Sequence, residues 1–280
     1  MSALFVKTDT ILDRILANTA QEVGKRKEQL PLADLIRLAS QVGPPRDMLV
    51  ALDRETVALI AEIKHASPSK GVLIEPFDPV ALATIYEANG AAAISVLTDA
   101  AFFGGSLGDL SAVRQSVQLP VLRKDFVIDP YQVYEGRVAG ADAVLLIVAA
   151  LADGQLAELY SLIRALHMTP LVEVHNEHEL ERALRLNPPL LGVNNRNLKT
   201  FEVNLDTSVR LAELIPAETA LVIESGIHSA LDVQRAAAMG ACAVLVGESL
   251  VRAPDIAAQV QALSGQMRRQ VREQSVERAA

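Results

Sequence analysis

The sequence predicts a closed (β/α)8 barrel, the TIM-barrel class of α/β fold, preceded by a helical extension. Three observations carry this expectation. From Val57 onward, short β-branched apolar runs alternate with longer stretches of helical periodicity. The strand-like runs number eight, and each repeat covers roughly 20–30 residues, as a βα unit should. The runs are apolar almost throughout, which is the pattern of a parallel sheet covered by helices. An open doubly wound sheet is the alternative. No G-x-G-x-x-G follows the first strand, and eight units favour closure.

Residues 1–50 lie outside the repeat and read as an N-terminal helical extension packed on the barrel. Ile11, Leu12, Ile15 and Leu16 recur at helical spacing, with Thr8 or Asp9 available as a cap. Leu32, Leu35, Ile36 and Leu38 predict a second short helix that ends near Gly43-Pro44-Pro45. The expected role of these helices is a lid that plugs one barrel end. The barrel itself is expected over 51–264. Its strands are predicted at Val57–Lys64, Ala92–Thr98, Pro120–Lys124, Ala143–Ala149, Pro170–His175, Leu190–Asn194, Ala220–Glu224 and Ala243–Gly247. Helices are predicted at Pro79–Ala88, Leu107–Ser116, Tyr131–Ala139, Gln155–Leu166, Glu177–Leu186, Thr207–Leu214 and Leu231–Met239, with a last one from near Pro254. The charged tail over 265–280 is expected to be the end of that helix, fraying into solvent.

Composition narrows the function. The 280 residues are 50% apolar, enough for a large core, and no run approaches the roughly 18 apolar residues of a membrane span. The N-terminal MSALFVKTDTILDR has acids where a secretory signal would be apolar, so a cytoplasmic location is expected. A single cysteine, Cys242, excludes an intrachain disulfide, and the five histidines show no metal spacing. A net charge of −8 disfavours a nucleic-acid partner. No membrane and no obligatory protein partner is expected either. An anionic ligand must then be held by local cations and backbone amides.

Polar residues gather where the strands end. Side chains alternate faces along a strand, so Glu62 and Lys64 in EIKHASPSKG share one face. A charge pressed between strand and helix is costly, whereas the C-terminal mouth of a barrel offers partners and solvent, and active sites of this fold lie there. Lys124 ends PVLRK, Glu173 lies near the end of PLVEVH, and LLGVNNRN places Asn194 and Arg196 on one face. ALVIESG ends at Glu224-Ser225 and AVLVGES at Gly247-Glu248. A lone charge at a strand end is an ordinary solvated boundary residue, but recurrence on several strands is gathered by a barrel around one axis. Gly226 and Gly247 read either as ordinary turn glycines or as a phosphate cradle after the last two strands, with Ser67 and Ser69 as hydroxyl donors. Lys64, Lys124 and Arg196 supply positive charge.

The ordered motifs EIKHASPSKG (62–71), SVLTDAAFFGGS (95–106), LRKDF (122–126), LVEVH (171–175), GVNNRNL (192–198), ESGI (224–227) and VGESL (246–250) resemble those of the indole-3-glycerol-phosphate synthase family. They cover most of residues 55–255. The resemblance implies a (β/α)8 barrel that converts 1-(2-carboxyphenylamino)-1-deoxyribulose 5-phosphate to indole-3-glycerol phosphate in tryptophan biosynthesis. Carbon dioxide and water are released, and no metal or organic cofactor is used. It implies Lys124 as general acid, Glu173 and Lys64 in proton transfer and dehydration, and Glu62 tuning Lys64. Asn194 and Arg196 would face the anthranilate end, Glu224 and Ser225 would border the substrate, and Phe103 and Phe126 would contact its ring. Ser67, Gly226 and Gly247 would serve the phosphate. The chain departs from the family pattern at His65, Asn197, Leu73-Ile74-Glu75 and Glu248.

The chemistry is consistent with these residue types. Ring closure puts negative charge on a ketone oxygen, which a fixed ammonium can stabilise and protonate. A lysine pKa shifted toward neutrality by burial or neighbouring cations would suit that task. Two rivals are a phosphosugar isomerase of the phosphoribosylanthranilate type and a non-catalytic phosphosugar-binding barrel. The first requires a thiol acid–base group at the mouth, yet Cys242 lies at the start of the last strand. The second would not need Glu62, Lys64, Lys124 and Glu173 together.

Overall fold

Eight parallel strands close on themselves: β1 (Ala58–Ile63), β2 (Ala93–Leu97), β3 (Val121–Lys124), β4 (Ala143–Ile147), β5 (Thr169–Val174), β6 (Leu190–Asn194), β7 (Ala220–Glu224) and β8 (Ala243–Val246). The structure is a computed structural model and describes residues 5–197, 199–200 and 202–268. Closure is explicit in the pairing, because β1 is hydrogen-bonded to both β2 and β8. The strands are short and almost wholly buried, as their near-continuous apolar sequence requires. β4 stops at Ile147, short of the expected Ala149, because Val148–Ala150 tighten into a 3-10 turn.

Helices separate the strands: α4 (Pro79–Ala88), α5 (Ala100–Phe103), α6 (Leu107–Ser116), α7 (Pro130–Ala139), α8 (Asp153–Ala165), α9 (Glu177–Leu184), α10 (Asp206–Ala212), α11 (Ala230–Ala238), α12 (Glu248–Val251) and α13 (Ile256–Ser264). Their starts follow local chemistry. Asp78 and Asp129 cap α4 and α7, and each is followed by a proline whose missing N–H costs nothing at a first turn. Ser229 and Asp232 form a reciprocal capping box on α11. The single-turn helices α5 and α12 lie at the barrel mouth and were not expected.

The N-terminal segment does more than plug one end. Helix α1 (Ile11–Gln29) reaches the mouth with Ile11, Leu12 and Ile15. Helix α2 (Leu32–Ala39) packs along α7. Arg46 then reaches the opposite end, where its backbone N–H donates to Asp142 and its guanidinium to the Leu119 carbonyl, just before β4 and β3. Helix α3 (Met48–Leu52) leads from there into β1. The cap of α1 is Thr10, not Thr8 or Asp9, with Thr10 Oγ1 accepting from Leu12 N–H at 3.1 Å. Asp9 lies in the left-handed region, and Thr8 instead donates to Asp13 through its N–H and hydroxyl.

The far end also differs from expectation. α13 stops at Ser264, and Gln266–Arg268 run extended beside residues 55–57. Val57 N–H donates to Gln266 O and Arg268 N–H to Glu55 O, both at 2.8 Å, so the entry to β1 gains backbone partners that a continued helix would not supply. Beyond position 268 the expected charged tail lies outside the described residues.

On its outer face β3 carries a buried charge. Arg123 is 1% exposed and donates to Asp125 Oδ2 at 2.7 Å, to Thr98 Oγ1 at 3.2 Å and to the Gln132 carbonyl. Glu135 of α7 lies 3.8 Å from Arg123 and 2.7 Å from Arg26 of α1, so one ion-pair chain links the N-terminal helix to β3. Replacing Arg123 with Met leaves Asp125 and Glu135 buried with their main counter-charge gone. Urea unfolding should show a loss of about 3–5 kcal/mol, the usual result of removing one partner of a buried pair.

Candidate active site

Alternation along short strands decides which side chains enter the barrel at its mouth. The odd-numbered strands contribute Glu62, Lys124, Glu173 and Glu224, consistent with a layered barrel interior built from alternate strands. The register sets Glu173 beside Gly192 and Asn194 beside Glu224, so β6 carries a small and a neutral residue between two acidic strands. A Cβ at Gly192 would stand 2.2 Å from Glu224 Oε1, and one at Gly247 would stand 2.4 Å from Glu62 Oε1. These two glycines make room for the carboxylates of neighbouring strands. For Gly247 that requirement is separate from any contact with a ligand.

Every residue singled out from the sequence as a candidate lines one cavity of about 400 Å³ at the C-terminal mouth. Lys124 Nζ donates to Glu173 Oε2 and to Glu224 Oε2, each at 2.7 Å. Lys64 Nζ lies 3.6 Å from Glu62 Oε1 and 5.3 Å from the Phe103 ring centroid, a cation–π contact. Phe103 and Phe126 are 5.9 Å apart between ring centroids and tilted by 33°. Asn194 Oδ1 accepts from Ser225 Oγ at 2.9 Å and from Arg196 N–H at 3.0 Å, leaving its NH2 as the donor this side chain can offer. Ser225 and Gly226 both lie at positive φ in the turn after β7.

Two loops meet over the cavity. Ala66–Ser67 pairs with Gly71–Val72 in a short antiparallel ladder after β1. From this loop Lys70 Nζ reaches Glu248 Oε1 at 2.5 Å, across to the start of α12. The Ser67 hydroxyl is buried without a hydrogen-bond partner among the described residues. The Lys70–Glu248 pair escaped the sequence reading, since a lysine in one loop and a glutamate 178 positions on carry no mutual signal. The cover that α1 provides was legible only as a generic lid.

The electrostatics differ from the expected pattern at one point. Burial alone would lower the Lys124 pKa, but the carboxylates of Glu173, Glu224 and Glu62 outweigh it and hold the ammonium well above its ordinary value. No shift toward neutrality occurs, because carboxylates rather than cations surround it. Burial also opposes ionisation of Glu173, yet Lys124 and His175 hold it well below the usual carboxylate range. Glu224 is pushed up to about 8 by burial, reinforced by the charge of Glu173 and only partly countered by Lys124. Two carboxylates on one lysine are thereby driven apart, one held as an anion and the other retaining a proton near neutrality.

The comparison with known sequences decides between the readings of this cavity. A family model described as indole-3-glycerol phosphate synthase matches residues 12–263. This chain belongs to the indole-3-glycerol phosphate synthase family. The indole-3-glycerol phosphate synthase of Roseiflexus sp. (strain RS-1) is 53% identical over 266 residues, covering 92% of this chain and 99% of that relative. The one from Albidiferax ferrireducens is 51% identical over 249 residues, covering 88% of this chain and 94% of the relative. Among solved structures, N-acetylmannosamine-6-phosphate 2-epimerase from Clostridium perfringens superposes with a TM-score of 0.57 at 17% identity, covering 76% of this chain and 94% of that one. That likeness is one of fold alone.

Three of the positions expected from the sequence to differ from the indole-3-glycerol phosphate synthase motifs, His65, Asn197 and Glu248, have definite local surroundings. His65 stacks on Phe77 with ring centroids 4.6 Å apart. Asn197 accepts from the backbone N–H groups of Lys199 and Thr200 and so shapes the turn after β6. Glu248 is occupied by Lys70 and does not stand as a free carboxylate at the mouth.

The raised pKa of Glu224 has a consequence for stability. The folded protein binds this proton more tightly than the unfolded chain does, whose carboxyl titrates near 4.5. The associated stability is fully present below pH 4.5 and is lost as pH rises through about 8. Glu224→Gln cannot ionise, so its unfolding free energy should vary less steeply across that window than the wild type's. Parallel slopes in denaturant titrations at several pH values would show that Glu224 is ionised throughout.

Proposed function

We propose that this cavity carries out the indole-3-glycerol phosphate synthase reaction on 1-(2-carboxyphenylamino)-1-deoxyribulose 5-phosphate, with Lys124 as general acid. The observation that carries the assignment is the Lys124 ammonium between Glu173 and Glu224, inside a cavity large enough for a single small molecule. In this reading the aromatic carbon attacks the ketone, and negative charge gathers on the ketone oxygen. A fixed ammonium stabilises that charge as it develops and then transfers a proton. An alkoxide is more basic than an amine, so even a lysine held strongly protonated can protonate it. Its raised pKa keeps the acid loaded across the physiological range.

Loss of carbon dioxide and of the hydroxyl restores aromaticity. The departing oxygen needs an acid and the ring needs a base. Lys64, oriented by Glu62, and the ionised Glu173 supply these two functions. Glu224, which retains a proton near neutrality, borders the substrate beside Asn194 and Ser225. The Arg196 guanidinium and the Asn194 amide recognise the anthranilate carboxylate, a fit for a planar donor fork. Phe103 and Phe126 flank the aromatic ring. The unpartnered Ser67 hydroxyl, with backbone amides around Gly226 and Gly247, receives the phosphate.

A thiol-dependent isomerase is disfavoured. Cys242 lies before β8, at the opposite end from the mouth; its thiol is buried against the Leu221 carbonyl, and burial pushes it up to about 11. No helix among the described residues is long and apolar enough to cross a membrane.

Lys124→Ala should lower kcat by about 10²–10⁴-fold and leave substrate affinity largely intact, because the lost interaction is specific to the transition state. Formation of indole absorbance from the ribulose phosphate substrate measures this directly. Near-normal turnover would refute the assignment. Arg196→Ala should instead raise KM with a smaller effect on kcat. A fall in kcat alone would move Arg196 into the chemistry.

A further inference from the structure

The mechanism above makes no use of His175, which follows β5 directly. Alternation carries it to the same face as Glu173, two residues earlier. Its side chain is only 9% exposed. Both ring nitrogens face carboxylates. Nδ1 lies 3.0 Å from Glu179 Oε2, and the His175 backbone N–H donates to the same oxygen at 2.9 Å. Nε2 lies 3.3 Å from Glu173 Oε1. The other oxygen of that carboxylate, Oε2, is the one that accepts from Lys124.

Glu179 is itself fixed. It stands in the first turn of α9, where Asn176 caps the helix by accepting from Glu179 N–H at 2.9 Å. Asn176 Nδ2 also donates to Glu179 Oε1 at 2.6 Å. The two oxygens of Glu179 are therefore divided between the helix cap and His175. The two oxygens of Glu173 are divided in the same way between His175 and Lys124.

We propose that His175 is a positioning residue for the Glu173–Lys124 pair: anchored to the cap of α9 through Glu179, it holds Oε1 of Glu173 and so turns Oε2 toward Lys124. A glutamate side chain held at one oxygen can still rotate its carboxylate plane. Contacts to both oxygens from separate elements fix the plane and the distance. Charge acts in the same direction. Glu173 of β5 and Glu179 of α9 face the ring, and beyond Glu173 lie Lys124 of β3 and Glu224 of β7. An imidazolium in this place donates to Glu179, lies in ion-pair contact with Glu173 outside hydrogen-bond geometry, and adds a positive charge beside a layer that holds three carboxyl groups and one ammonium. The inferred sign agrees with the titration of the ring. Burial alone would lower it, but Glu173 and Glu179 carry it up to about 10.

This role rests on Glu173 taking part in proton transfer, so the test separates the two ideas. The full chain is assayed over a range of pH as wild type, His175→Ala, Glu179→Gln, Glu173→Gln and Arg210→Ala. His175→Ala should lower kcat, by up to about 10²-fold for a misplaced group, with little change in KM. It should also move the acid limb of the kcat profile to higher pH, because Glu173 without its cationic neighbour holds a proton longer. Glu179→Gln keeps an acceptor for the ring but loosens its anchor, and should lower kcat by less than His175→Ala does, with KM little changed. Arg210→Ala removes an exposed ion pair between α10 and Glu177 of α9, with a hydrogen bond to the Asp206 carbonyl, and should leave the profile unchanged. An unmoved acid limb in His175→Ala, with activity lost only in proportion to folded protein by circular dichroism, overturns the proposal. If His175→Ala does not fold, unchanged kcat in Glu179→Gln overturns it. Full turnover in Glu173→Gln would instead count against the assignment of Glu173 itself.

Discussion

A barrel interior is normally filled with branched apolar side chains, and the lower layers here obey that rule with residues such as Ile60, Leu145 and Leu171. The layer nearest the mouth instead holds the Lys124 ammonium with Glu62, Glu173 and Glu224, all nearly removed from water. Ions in such a place are tolerated only when each is paired and hydrogen-bonded, because desolvation otherwise exceeds the Coulombic gain. This requirement organises the neighbouring residues. Gly192 and Gly247 are small so that Glu224 and Glu62 have space. The turn after β6 is held by Asn195, whose NH2 donates to the carbonyls of Glu224 and Ser225 while its Oδ1 accepts from Ser208.

The strand that carries Lys124 is braced on its other face. Arg123 and Lys124 are adjacent, so they point to opposite sides of β3. One enters the cavity and the other enters the helix layer, and each meets two carboxylates. On the outer side the ion-pair chain runs through Glu135 to Arg26 of α1. The same helix turns Ile11, Leu12 and Ile15 toward the cavity. The N-terminal helix is thus joined to the mouth twice, by apolar contact at its start and by charge near its end. Displacing it would uncover the cavity and leave Glu135 without one of its counter-ions.

The fold was legible because buried parallel strands and amphipathic helices have distinct periods, and the turn chemistry between them is local. Helix α4 (Pro79–Ala88) and strand β6 (Leu190–Asn194) were read to the residue, since an Asp-Pro start and a run ending in Asn-Asn are both visible in sequence. The gathering of polar strand ends in one cavity followed from alternation and closure. Features that depend on distant partners were not legible. Lys124 meets carboxylates 49 and 100 positions away, and their number, not the lysine itself, reverses the expected direction of its pKa. The room that Gly192 and Gly247 leave serves carboxylates on other strands, so the sequence offered ligand contact as a reason for Gly247 but not the space that Glu62 also needs there. At the start of α1, Thr8, Asp9 and Thr10 are all competent caps, and only the backbone path selects Thr10.

An acidic protein that handles an anionic substrate must separate its overall field from its local one. The net charge of −8 describes the surface as a whole, whereas the mouth gathers Lys64, Lys70, Lys124 and Arg196 around one cavity. The three lysines there are matched by carboxylates from other strands or loops: Glu62 for Lys64, Glu248 for Lys70, and Glu173 with Glu224 for Lys124. The pairing keeps the cations ordered at defined positions, which a cluster of unpaired lysines repelling one another could not achieve. It also grades them by burial. Lys124 is held deepest and hardest, while the half-exposed Lys70 is joined to Glu248 through a surface pair of the kind worth about 1 kcal/mol or less. The ammonium proposed for the chemistry is therefore buried, and the cation nearest the rim is the one most open to water.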